Sequence, residues 1–345
     1  MTDIIIIGAG IAGLACARPL ADAGLHVIII DKGRGIGGRV ATRRADDLRF
    51  DHGAPYARAQ GTEFDKVLRG LCDKGHAASW SDSAGEMWTV GTPGMSTIPK
   101  GMAAGLDVHL ATQVRAVVPN GSGWSVQCDD QQYDARRVVI TVPAPQVAGL
   151  LGAHHPLVAQ IADVEMSPSL TLMAAVSGDA PTVRLGEPDD PLAFITRDSS
   201  KPDRPQTDGT AWVAQAGLAF SNAHLEEDLP DIATWMLPLF CNRLGITSER
   251  VTHAVAHRWR YSRVANSLGQ PFSRTPDATL YLGGAWCVGP LIEDAWASGT
   301  AIATDLLGRT IWCGIHVLRA AWPWLWRPSN QRRVSLASLW HWEGV

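Results

Sequence analysis

The first thirty-one residues constrain the fold more than any other stretch. An apolar strand (Ile4 to Ile7) runs into Gly8-Ala9-Gly10-Ile11-Ala12-Gly13, a helix follows, a second strand covers Val27 to Ile30, and Asp31 comes directly after it. This order specifies a dinucleotide-binding βαβ unit. Gly8 permits the tight turn, and Gly10 lets the backbone N–H groups approach a pyrophosphate. Gly13 lets helix pack on strand, and the helix start at Ile11 and Ala12 adds partial positive charge. Asp31 offers a carboxylate to ribose hydroxyls. A GxGxxG alone is weak, but the strand before it, the helix after it and the timely acid carry the assignment.

The next segment separates flavin from nicotinamide. Lys32-Gly33-Arg34-Gly35-Ile36-Gly37-Gly38-Arg39-Val40-Ala41-Thr42 is a glycine-rich turn with two arginines, where an ordinary nicotinamide domain would enter its next helix. It reads as a second clasp. The doublet Gly37-Gly38 brings backbone close to a ligand, and Arg39 sets a planar donor fork against pyrophosphate charge. The alternative is a surface loop with solvated arginines.

At this point the chain resembles the two-dinucleotide-domain flavoproteins with a glycine doublet, which include the amine oxidases and, more closely, the bacterial renalases. The resemblance runs over most of residues 1–308. It is carried by GAGIAGL, DKGRGIGGRVATRR, DHGAPYARA from Asp51, GTPGMSTI from Gly91, VVITVPAPQ from Val138, SKPDR from Ser200, HRWRYSRVA from His257 and YLGGAWCVGPLIEDAWASG from Tyr281. It implies an α/β, two-dinucleotide-binding-domain (Rossmann-like) FAD fold with an interleaved α+β substrate domain roofed by a mixed sheet. Residues 1–54, 91–144 and 271–308 are expected to form the FAD domain, and 55–90 and 145–270 the substrate domain.

Coarse periodicity fills in elements. Val108 to Val118 reads as one strand, Asn120-Gly121 turns a hairpin into Gly123 to Cys128, and Tyr133 to Val142 is a further strand. Ala278 to Leu282 and a helix from about Glu293 to Leu307 close the domain. Leu170 to Val176 and Ala211 to Ala216 read as strands over the flavin, and Leu225 to Leu244 as helix broken at Pro238.

Composition excludes several classes. The chain of 345 residues is 46% hydrophobic with mean hydropathy near zero, enough for a large core in two domains. Six cysteines show neither CxxC nor metal-ligand spacing, so reduced thiols, no metal site and a cytoplasmic location are expected. No apolar run is long enough for a bilayer span, and the body lacks a basic footprint for nucleic acid. The tail, 309–345, lies outside the resemblance and is rich in Trp and Arg. A loosely docked extension is favoured over a membrane anchor, because Pro323 and Pro328 interrupt an amphipathic helix.

The resemblance also assigns site residues. Gly53, Ala54 and Val114 match segments that contact FAD, as do Gly284, Ala285, Ile292 and Ala295 in the closing segment, and Lys32 and Gly38 lie in the clasp. Tyr56, Ala57, Arg58, Pro93, Gly94, Arg197, Trp259, Tyr261 and Leu291 match stretches near the ring. For Trp259 and Tyr261 core packing is an equal reading, and a surface position is the commoner fate of an arginine such as Arg197. Two departures stand out. Relatives have Gly-Asp-Trp where this chain has Gly284-Ala285-Trp286, and Gly where it has Asp294; Asp294 is expected to cap the closing helix and partly to replace the lost carboxylate. Leu291 replaces an Arg, and Gln215 a His.

The implied activity is oxidation of 2- or 6-dihydro isomers of NAD(P)H by non-covalent FAD, with O2 as acceptor and hydrogen peroxide as product. No acid–base set is nominated; among the His residues, His52 beside the flavin loop is the one worth testing. An amine oxidase or desaturase of the same fold is the alternative, and a flavin-binding protein without turnover a second one. A plain nicotinamide dehydrogenase explains neither the glycine doublet nor the closing segment.

Overall fold

The computed structural model describes residues 2–81, 85–178, 190–205 and 207–312; the tail expected at 309–345 falls largely outside them. The chain opens with β1 (Thr2–Ile7), α1 (Ile11–Asp22) and β2 (Val27–Ile30), then the hairpin β3 (Arg43–Ala45) and β4 (Leu48–Phe50). Next come α2 (Thr62–Asp73), the hairpin β5 (Ala77–Ser81) and β6 (Met87–Gly91), and α3 (Thr97–Met102). Four strands follow: β7 (Asp107–His109), β8 (Val114–Asn120), β9 (Gly123–Cys128) and β10 (Gln132–Ile140). After α4 (Ala144–Leu151) and α5 (Pro156–Gln160) come β11 (Glu165–Ser177), β12 (Leu192–Arg197) and β13 (Gly209–Ala216). The last described elements are α6 (Leu218–Ala223), α7 (Leu229–Leu244), β14 (Val251–Asn266), β15 (Ser273–Arg274), β16 (Leu280–Leu282) and α8 (Ile292–Trp312).

Among the described residues an eight-stranded sheet runs in the order β15-β16-β10-β1-β2-β7, with β9 on β10 and β8 on β9. Its centre is parallel, Ile4–Ile7 pairing with Val27–Ile30 on one side and Arg137–Ile140 on the other. A parallel strand covered on both faces favours a continuous β-branched run, and the side chains of Ile4, Ile5, Ile6 and Ile7 are all buried. The long strand β10 serves two neighbours on one edge, Gln132–Ala135 against β9 and Val138–Ile140 against β16.

The predicted hairpin at Asn120-Gly121 is present, but the predicted strand Val108 to Val118 is two strands. The chain leaves the sheet at Ala111, which takes a φ of 52°, with Ala111 N–H donating to Gly33 O and Thr112 N–H to Asp31 O. Apolar alternation runs across this break, so periodicity alone does not reveal it.

A four-stranded antiparallel sheet, β12-β13-β11-β14, faces the first. Leu170, Leu172, Ala174 and Val176 pack with Ile232, Met236 and Phe240 of α7, whereas Met173 and Ala175 pack on Phe50 of the β3–β4 hairpin. The strands predicted at Leu170 to Val176 and Ala211 to Ala216 are therefore neighbours in this sheet. The predicted break at Pro238 is absent: α7 continues through it to Leu244. Pro238 sits on the exposed side, and packing of the buried side on the sheet outweighs the missing hydrogen bond.

Candidate active site

A cavity of about 2290 Å³ lies between the two sheets. One wall is formed at the carboxyl ends of β1, β2 and β10 by Ile7, Gly8, Ile30, Asp31 and Thr141, where open α/β sheets place their ligands. The opposite wall comes from the second sheet, through Phe194, Gln215 and residues His257 to Arg263.

At the dinucleotide end the cavity is lined by Gly8, Gly10, Ile11, Ala12, Asp31, Lys32, Gly38, Arg39 and Val114. Gly13 stands behind them: a Cβ there would lie 2.0 Å from Gly8 O, so only glycine lets α1 approach the turn. Asp31 braces the loop it caps, accepting from Ala9 N–H at 2.7 Å and Gly33 N–H at 2.6 Å, and each oxygen retains a free lone pair. Arg39 donates to Ser262 O at 2.9 Å, and burial pulls its guanidinium below the usual value.

Farther along, Gly53, Ala54, Gly284, Ala285, Ile292 and Ala295 line the cavity together with Tyr56, Arg58, Trp259, Tyr261 and Leu291. Gly53 cannot carry a side chain, since its Cβ would fall 1.8 Å from Arg39 O. Its N–H has no hydrogen-bond partner among the described residues, while Ala54 N–H donates to Arg39 O at 2.9 Å.

Five expected residues lie off this wall. Ala57 is buried in a bridge with Thr89, its N–H donating to Thr89 O at 2.8 Å. Pro93 is exposed on the outside, and Gly94 packs against Thr42. Arg197 lies over the Trp212 ring at 6.0 Å, held by packing within the second sheet. Asp294, third residue of α8, accepts from Leu291 N–H at 2.8 Å, the reach-back half of a capping box. It meets the helix-capping expectation; as replacement for the lost carboxylate it is misplaced, because its oxygens are turned to Leu291 and Gly289.

Beside the expected residues the cavity is lined by Trp88 and Phe194, which the motifs did not single out. Tyr56 stacks on Trp88 with centroids 4.0 Å apart, Phe194 tilts toward it at 6.2 Å, and Arg58 lies 5.6 Å over Trp88. Trp259 Nε1 donates to His52 O at 2.8 Å, and His52 stacks on the indole at 5.3 Å with His257 edge-on at 4.7 Å. Burial, reinforced by the neighbouring charge of Arg43, brings both imidazoles down to about 4, so they are neutral at pH 7. The period-2 spacing of His257, Trp259, Tyr261 and Arg263 in HRWRYSRVA was the available signal that they share one face.

Two motifs meet beneath the flavin-side loop. Asp51 of DHGAP and Asp198, Lys201 and Arg204 in and beside SKPDR form a buried, charge-balanced quartet. Lys201 Nζ is 2.8 Å from Asp51 and 2.6 Å from Asp198, and Arg204 is 2.5 Å from Asp51. Lys201 also donates to Pro55 O at 2.9 Å and Arg204 to Gly91 O at 3.1 Å, so the quartet ties three loops together. Burial would raise the Asp51 carboxyl, but Lys201 and Arg204 outweigh it and hold the group below the usual range.

Comparison with known proteins follows the same outline. A sequence profile described as a NAD(P)-binding Rossmann-like domain matches residues 6–74, and one described as flavin containing amine oxidoreductase matches residues 78–307. The chain belongs to the flavin containing amine oxidoreductase family. Its cofactor is FAD, and the glycine-lined cavity with Arg39 at the turn fits that group.

Among curated members, the carotenoid 3,4-desaturase of Haloarcula japonica is 43% identical over 51 residues, 15% of this chain and 10% of that protein. Amine oxidase [flavin-containing] B of Homo sapiens is 34% identical over 68 residues, 19% of this chain and 12% of that protein. The chain thus spans about a tenth of the length of these relatives. Among solved structures, putrescine oxidase bound to putrescine superposes with a TM-score of 0.69 at 16% identity, covering 89% of this chain and 99% of that one. Cyclohexylamine oxidase from Brevibacterium oxydans IH-35A gives 0.68 at 13% identity, covering 90% and 99%. At such identity these structures share the fold. No helix among the described residues is long and apolar enough to cross a membrane.

Proposed function

We propose that this family member is a renalase-type oxidase, in which a 2- or 6-dihydro isomer of NAD(P)H, O2 and a proton yield NAD(P)+ and hydrogen peroxide. The observation that carries the reading is the charge of the cavity. Toward the second sheet Arg43, Arg58 and Arg263 line the wall, while Arg258 donates to Leu225 O and Glu227 O and Arg260 pairs with Glu226; Glu86 is the acid found on that wall among the described residues. An anionic dinucleotide is attracted to such a wall, whereas a protonated amine meets like charge.

When bound, FAD supplies the two-electron acceptor that takes the hydride. A dihydropyridine of this kind becomes aromatic on losing hydride and need not surrender a proton. The residues therefore have orientation to perform, through the indole of Trp259 anchored on His52 and the stacked pair Tyr56 and Trp88. The proposal takes FAD as non-covalent, with no cysteine on the described cavity wall, and keeps the domain division drawn from the sequence. The free thiols Cys16, Cys72, Cys128, Cys241 and Cys287 support a cytoplasmic address.

The second reading, amine oxidation, is favoured by the names of the relatives and structural neighbours, and aromatic walls also suit a cation. Anaerobic mixing of the FAD-loaded protein with 2-, 6- and 4-dihydro NAD(P) and with an amine panel separates the two. Bleaching of the flavin by a 2- or 6-dihydro isomer, with peroxide on admission of air, is expected. Bleaching by amines alone would replace the proposal with the second reading.

A further inference from the structure

We infer that Arg263, braced by Gln215, is an anion-binding subsite that selects ring substrates bearing a carboxylate or phosphate oxygen. The inference rests on the proposed oxidation of an anionic dihydropyridine nucleotide and identifies the group that reads its charge.

Arg263 lies on β14, whose register sets it beside Ser167 of β11, and it opens onto the cavity. The protein around it is dense enough that burial draws its guanidinium below the usual value. No carboxylate pairs with it among the described residues. Its hydrogen-bond partner is Gln215 Oε1 at 3.3 Å, which leaves most of its five N–H donors free.

Gln215 is held in turn. It is 7% exposed, and its Nε2 donates to Gly53 O at 2.7 Å, so its carbonyl oxygen is presented to Arg263. Gly53 is itself wedged against Arg39 O, which makes the brace rigid. The Arg263 side chain is exposed where it meets the cavity, and a ligand that brings an anion there makes a charge-assisted contact with it. The phosphates of FAD do not account for it, because Arg39, Lys32 and Arg34 already line the clasp at the dinucleotide end. Arg263, the cavity cation that Gln215 braces, is then left for the second ligand.

The test uses purified holoenzyme titrated with nicotinate and with nicotinamide, the same ring carrying a carboxylate or an amide, and with inorganic phosphate, followed by perturbation of the flavin absorption spectrum. Nicotinate is expected to bind about tenfold tighter than nicotinamide, the ratio of one well-made charged contact. Arg263→Gln should abolish the preference at unchanged FAD content, and Arg263→Lys should retain part of it. Gln215→Met, which keeps the charge and removes the brace, should weaken nicotinate binding alone, and it serves if Arg263→Gln does not fold.

Equal affinities in the unaltered protein, or an unchanged preference in Arg263→Gln, would overturn the inference. So would loss of FAD from both Arg263 variants, which would give the cation to the cofactor's own phosphates. Phosphate competing with nicotinate supports a general oxyanion site, and phosphate perturbing the spectrum in Arg263→Gln as in the parent overturns it. Bleaching by amines with the nicotinate preference intact would defeat the proposed function and leave the subsite standing.

Discussion

Lys201 has no exposed side-chain surface and neutralises two carboxylates at once. Lys201→Met leaves Asp51 and Asp198 facing one arginine in a dry interior, and should cost about 3–5 kcal/mol, read by urea unfolding. A loss below about 1 kcal/mol, the value of an exposed pair, would show that water reaches the quartet. Gly53 is constrained by space in place of charge. Gly53→Ala must push against the backbone of Arg39, so the purified variant should carry markedly less FAD by absorbance while keeping its far-UV circular dichroism; full FAD content would show that the loop yields. At this scale the backbone constraints at Gly8 and Gly13 were readable, because backbone geometry follows directly from residue type. Arg263 and Gln215 were not marked as partners, since their meeting depends on strand register.

Helices α7 and α8 show local rules being overridden and obeyed. Pro238 removes one hydrogen bond from α7 and projects outward, so Pro238→Ala should raise stability by about 1–3 kcal/mol in thermal or urea unfolding. In α8 Asp294 holds the Leu291 N–H, and Glu293 accepts from Gln60 and Gly61 N–H at 2.5 and 2.9 Å, joining the start of α8 to the start of α2. Asp294→Gly should cost about 1 kcal/mol of stability and leave FAD affinity unchanged. A weaker FAD complex would return Asp294 to the role expected from the sequence. The split of the strand after His109 belongs here too, as a turn made by a positive φ at Ala111 in a stretch with no glycine at the corner.

Across the whole molecule, His52 from the loop after β4 and His257 from β14 meet with ring centroids 4.7 Å apart and are neutral together. Their pKa values drop from 6.5 in the unfolded chain to about 4 in the fold. Below pH 6.5 the unfolded chain binds protons that the native protein refuses, so stability falls as pH is lowered toward 4, and these groups are silent above 6.5. The melting temperature of His257→Phe should decline less steeply than that of the parent over this window; parallel slopes would remove the imidazole from the acid response. By itself the sequence determined the βαβ start, the glycine-doublet clasp, the flavin class and the closing helix, because each is written in contiguous residues whose spacing maps onto backbone geometry. Only the tertiary structure decided that SKPDR neutralises Asp51, that Arg197 and Asp294 turn away from the cavity, and that arginines crowd its far wall. Those facts depend on strand register and on burial, which bring together residues 150 positions apart and more and have no local signature.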